Sequence, residues 1–118
     1  MEDPIANRYR GEVVARLDGR AYRLRLTLGA LAELETVLDG RSFLAVAEHF
    51  EEGELKAGEI VAILGAGLRG GGAAVTNEEV AQMTVEGGAF GYVAIVAHLI
   101  AATFGLPDPN DKMGTDND

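Results

Sequence analysis

Chemistry in this chain would have to come from few residues. Gly65-Ala66-Gly67-Leu68-Arg69-Gly70 has G-x-G-x-x-G spacing, and the apolar Ile60-Val61-Ala62-Ile63-Leu64 precedes it. Such glycines can bring backbone N–H groups against a pyrophosphate, provided that the motif opens a helix and that further strands follow to carry a ribose. Here Gly70-Gly71-Gly72 follow at once and Thr76 caps a new helix. The glycines therefore read as a helical stripe running into a loop, and a small nucleotide-binding protein using residues 65–70 is kept as an alternative only. His49 stands beside Glu48, Glu51 and Glu52, but no second histidine or fixed acid is placed near it by local spacing, so a solvated acidic helix end accounts for it. His98 lies in an apolar stretch, as core or interface histidines do, and Ser42 has no G-x-S-x-G context. No catalytic, cofactor-binding or metal-binding residue is assigned, no cofactor is implied, and the chain is expected not to be an enzyme.

The remaining candidates are Val14, Arg16, Arg23 and Arg25. Residues 11–28 alternate with period two and are interrupted once by Asp18-Gly19, a strong hairpin signal. With those two residues as the loop, Leu17 faces Arg20, Ala15 faces Tyr22 and Val13 faces Leu24. Val13, Ala15, Leu17, Tyr22, Leu24 and Leu26 then form the buried face. On the outer face Glu12 falls opposite Arg25 and Val14 opposite Arg23, with Arg16 beside Ala21. A valine among three arginines on an outward face is a candidate partner-binding surface, because arginine is enriched at interfaces and a two-stranded edge can accept another strand. An isolated hairpin is marginal in water, so this one must pack on the rest of the chain.

The pattern after the hairpin is helical. Thr27 caps a first helix with Ala30, Leu31, Leu34, Val37 and Leu38 on one stripe, closed by Asp39-Gly40. Ser42 caps a second, with Phe43, Val46, Ala47 and Phe50 inward, stopped by Glu51-Glu52-Gly53. Ile60, Ile63, Leu64, Gly67 and Leu68 mark a third, which ends in the glycine run. Thr76-Asn77-Glu78-Glu79 is a capping box opening a short fourth helix with Val80 and Met83. After Gly87-Gly88, residues 89–104 read as a last, central helix, with Phe90, Val93, Ala94, Ala97, Ile100, Ala101 and Phe104 on its richest side. Phe43, Phe50, Ile63, Leu64, Phe90 and Phe104 are expected in the core. The fold class is therefore α+β: an N-terminal β-hairpin packed on four or five helices. Residues 1–5 form an extension, 6–106 a single domain and 107–118 an acidic tail expected to be disordered, with two prolines and four acids in twelve residues.

Composition narrows the partners. With 118 residues, 47% hydrophobic and 25% charged, the chain is of ordinary globular make-up and has room for one domain. It has no cysteine, which excludes disulfides and thiolate chemistry. The net charge of −9 is uneven: residues 1–26 hold six arginines against four acids, a net of +2, and residues 27–118 hold four basic residues against fifteen acids, a net of −11. An acidic body is the wrong sign for phosphate, so no nucleic acid is expected as partner. The apolar run 89–104 is too short for a membrane span, and the acidic start gives no signal peptide, so a cytoplasmic protein is expected.

Several blocks together carry a resemblance: Ala6-Asn7-Arg8-Tyr9-Arg10-Gly11-Glu12-Val13, Leu26-Thr27-Leu28-Gly29-Ala30-Leu31-Ala32-Glu33-Leu34-Glu35, Ala66-Gly67-Leu68-Arg69-Gly70-Gly71-Gly72, Val75-Thr76-Asn77-Glu78-Glu79-Val80 and Glu86-Gly87-Gly88. In this order, over about residues 6–105, the chain resembles the gene transfer agent tail protein family, which belongs to the phage tail assembly chaperones and is also labelled phage tail tube protein. The resemblance implies a non-enzymatic chaperone of phage tail assembly in a bacterium carrying a gene transfer agent or prophage. It would bind the tape measure protein and/or tail tube protein, act in the host cytoplasm and be absent from the finished particle. Self-association and a structural tail tube role are alternatives left open.

Overall fold

Two left-handed residues turn the chain between β1 (Glu12–Leu17) and β2 (Arg20–Arg25): Asp18 has φ 53° and Gly19 φ 75°. Two positive φ values in a two-residue loop make the turn whose twist suits an antiparallel hairpin. The computed structural model describes residues 5–7 and 10–106, and the expectations for residues 1–4 and for the tail 107–118 lie outside them. The register is the expected one throughout, with Leu17 opposite Arg20, Ala15 opposite Tyr22, Val13 opposite Leu24, Val14 opposite Arg23 and Glu12 opposite Arg25. Asp18 also fastens the turn to the distant chain. Its N–H donates to the Thr84 carbonyl at 2.8 Å, and its Oδ1 accepts from the Thr84 N–H at 2.8 Å and hydroxyl at 3.1 Å.

Five helices follow: α1 (Leu28–Val37), α2 (Phe43–Glu51), α3 (Ala57–Gly70), α4 (Asn77–Gln82) and α5 (Gly88–Phe104). The capping residues act as their types demand. Thr27 Oγ1 accepts from the Ala30 N–H at 3.0 Å, Ser42 Oγ from Ala45 at 3.1 Å, and Thr76 and Glu79 exchange both bonds of a capping box. Each such cap is worth about 1 kcal/mol. Asp39 at φ 61° and Gly40 at φ 80° turn the chain out of α1.

The central helix is α3, not α5. Residues 62–68 of α3 are all buried, and this helix packs against β2, α1, α4 and α5. Ile63, Leu64 and Leu68 meet Leu17 and Leu24 of the hairpin, Leu34 of α1, Val46 of α2 and Val96 and Leu99 of α5 in one apolar cluster. Gly67 sets how closely α5 approaches: a Cβ built there would lie 2.7 Å from Leu99 Cδ2.

That contact corrects the expected core. The buried side of α5 carries Ile95, Val96, Leu99, Ile100, Ala101 and Ala102, so the face holding Phe90, Val93 and Ala94 points outward. Phe90 is 87% exposed, and Phe104 is 41% exposed with its ring stacked on Phe43, centroids 5.6 Å apart. Phe50 is half-buried and Val37 exposed, whereas Phe43, Ile63 and Leu64 are core as expected. A helix that is apolar all round has no preferred face of its own. The shape of α3, with Gly67 as the notch for Leu99, makes the choice.

Candidate functional site

The outer face of the hairpin brings the four candidate residues together less fully than their alternation suggests. Arg23 and Arg25 line a cleft of about 700 Å³ with Asn7, Arg10, Glu12 and the Gly70–Gly71 backbone. Val14 and Arg16 line a separate hollow of about 290 Å³ between β1 and α5, which His98 also borders. Val14 is 38% exposed, and Arg16 donates from Nη2 to the Gly19 carbonyl at 2.9 Å.

Glu12 departs furthest from expectation. It sits opposite Arg25 in register, yet only 5% of it is exposed and its carboxylate turns to other partners. Oε1 accepts from the Asn7 N–H at 3.0 Å and lies 3.5 Å from Arg23 Nε, while Oε2 lies 3.6 Å from Arg10 Nε. A nearly buried carboxylate needs such partners. Arg23 is thus half committed to holding the fold and is not a free interface cation. The N-terminal turn that supplies Asn7 and Arg10 has no periodicity, so sequence spacing carried no signal for this cluster.

The same cleft explains the glycine run. A two-residue loop makes Leu17 and Arg20 a hydrogen-bonded pair, so residues 21, 23 and 25 turn their main-chain groups away from β1. The end of α3 lies against that edge: a Cβ on Gly70 would stand 2.0 Å from the Arg25 oxygen, and one on Gly71 1.9 Å from the Arg23 oxygen. These glycines let helix and strand backbones meet, which closes this stretch of the β2 edge to an added strand. Residues 65–70 form the C-terminal half of α3 and do not open a helix. Arg69 within the motif is structural, donating to the Val75 carbonyl and Asn77 Oδ1, each at 3.0 Å, and to Glu33 of α1.

At the far end, His49, Glu52 and Glu54 place their ligand atoms within 4.8 Å of one another, which local spacing had not grouped in this combination. Arg41 Nη1 lies 3.4 Å from His49 Nδ1, and another Arg41 nitrogen bonds Glu59. Arg41 thus bridges His49 and Glu59 rather than the two acids of the group. Glu59 is held below its ordinary pKa, chiefly because it accepts the Lys56 N–H at 2.9 Å, with Arg41 adding to the effect against the opposing desolvation. Among the described residues no helix is long and apolar enough to cross a membrane.

These features define a class: an α+β domain in which a single hairpin is clasped by helices, with Glu12, Asp18, Glu33 and Glu59 joining segments through their partners. The family described as phage tail tube protein, GTA-gp10, matches residues 10–106, and the chain belongs to that family. No curated protein and no solved structure is significantly similar to it.

Proposed function

We propose that this protein is a non-enzymatic assembly chaperone of a gene transfer agent or prophage tail, binding the tape measure protein and/or tail tube subunits in the host cytoplasm. Membership of a tail protein family across nearly all described residues supports a tail role. The observation that carries the choice of chaperone is the sheet, which has two strands and one hairpin beside five helices among the described residues. A subunit that rings a channel needs a sheet extensive enough to close or to join neighbouring subunits, and here the outer edge of β2 is covered by Gly70 and Gly71. The family's description favours a second reading, a structural tail tube component.

Co-expression with the tape measure protein encoded nearby distinguishes the two. A chaperone raises the soluble yield of the tape measure protein, co-purifies with it, and is missing from finished particles by quantitative mass spectrometry. Val14→Asp is expected to weaken the complex without unfolding the chain. Presence in particles at one copy per tube subunit establishes the structural reading instead.

A further inference from the structure

Helix α5 is apolar on both sides, and the fold covers one of them. On the other, Phe90, Val93 and Ala94 stand outward at i, i+3 and i+4, the spacing of a helix-docking stripe. Beside this ridge runs a groove of about 260 Å³ between α3, α4 and α5, walled by Ile60, Val61, Val80, Ala81, Ala89 and Val93. Tyr92 also lines it, and its hydroxyl donates to the Met83 carbonyl and is therefore satisfied. Nothing in the groove asks for a polar ligand, and its continuity with an exposed ridge suits an elongated apolar partner rather than a small molecule.

Charge selects among such partners. Glu78 lies one helical turn before Ala81 on the same face of α4, whereas Glu86 borders the hollow between β1 and α5 together with Ala94. Both are exposed, and neither forms an ion pair with a described residue. Lys56, next to the groove residue Ala57, is exposed and shares the Glu59 carboxylate with Arg41. Between residues 27 and 106 the chain holds eleven acids against Arg41, Lys56 and Arg69, and Arg41 and Arg69 are paired with Glu59 and Glu33. A second copy would bring the same net charge of −9. A basic partner would be drawn to it.

We propose that the groove between α3, α4 and α5, with the ridge of Phe90, Val93 and Ala94, docks an amphipathic helix of a different protein that carries Lys or Arg along the edges of its apolar stripe. The inference rests on the reading that this chain works by binding another protein, and it adds a second contact surface to the outer hairpin face, whose Val14 hollow Ala94 also borders.

The test titrates the full chain into two labelled designed helices of about 18 residues, both with leucine at i, i+3, i+4 and i+7, one flanked by lysine and one by glutamate. The lysine helix is expected to bind at least about tenfold more tightly, and Phe90→Ser to weaken it by about tenfold with unchanged thermal melting. Glu78→Lys should reduce the advantage of the lysine helix. Equal binding of the two helices, or unaltered binding by Phe90→Ser, overturns the proposal. So does a dimer in sedimentation that Phe90→Ser dissociates, since the occupant is then a second copy. Because the designed helices are not tail proteins, failure of tape measure co-purification with the peptide results intact removes the chaperone reading and leaves the surface. The converse result removes the surface and leaves the chaperone.

Discussion

Gly71 and Gly58 belong to the same helix region and have opposite reasons to be glycine. A methyl on Gly71 would collide with the Arg23 carbonyl, whereas nothing lies within 4 Å of the position a Cβ would take on Gly58. Backbone cannot swing aside as a flexible side chain can, so Gly71→Ala is expected to cost about 1–3 kcal/mol. Gly58→Ala should instead stabilise, by up to about 1 kcal/mol, since it removes backbone entropy from the unfolded chain and fills open space. Thermal unfolding of the two variants measures the difference in sign. Equal effects would show that the helix end does not rest on the β2 edge. The glycine run is thus a packing device at the place where a nucleotide motif would have needed a phosphate cradle.

At the scale of the element, α5 presents the sharpest contrast. Leu99 is fully buried against Gly67, and Phe90, nine residues earlier on the same helix, projects into solvent. Leu99→Ala is expected to cost about 2–5 kcal/mol, the range for emptying a tight apolar site. Phe90→Ala is expected to change stability by less than about 0.5 kcal/mol, as an exposed substitution without a named contact does. Urea unfolding of both variants checks this, and a large loss from Phe90→Ala would mean that α5 is turned with its aromatic side inward. The hairpin depends on its clasp in a similar way, since Asp18 and Thr84 hold the turn to the segment between α4 and α5.

For the whole molecule, the balance of charge governs the response to acid. Glu59 carries a lowered pKa, and a depressed carboxylate contributes stability that is present above its unfolded value and is lost as pH falls through the folded one. The stability contributed by the Glu59 site is therefore expected to be complete near neutral pH and to decline below about pH 4, the ordinary glutamate range. Glu59→Gln should flatten that part of the stability profile, and Arg41→Ala should move the acid-unfolding midpoint upward, because Arg41 adds to the depression. Chemical denaturation between pH 7 and pH 3 gives both slopes. An unchanged slope in Glu59→Gln would show that the bonds to Lys56 and Arg41 do not bear on folding.

Much of this protein is dictated by local pattern. Period-two alternation around Asp18-Gly19 determines the hairpin and its register, because one slip would carry every buried side chain to the solvent face. Thr27, Ser42 and Thr76 mark where α1, α2 and α4 begin, because a hydroxyl at the cap accepts one of the first free N–H groups. The order of family blocks likewise marks a tail protein, in agreement with the match over residues 10–106. Tertiary structure decided what local pattern leaves degenerate. In α5 it selected Leu99 over Phe90 for the core, since a uniformly apolar helix has no moment to orient it and the notch at Gly67 does. It also drew Glu12 inward to Asn7, Arg10 and Arg23, and it used Gly70 and Gly71 to seat a helix on a strand. Those outcomes depend on which surfaces meet, and residues distant in sequence supply the meeting surfaces.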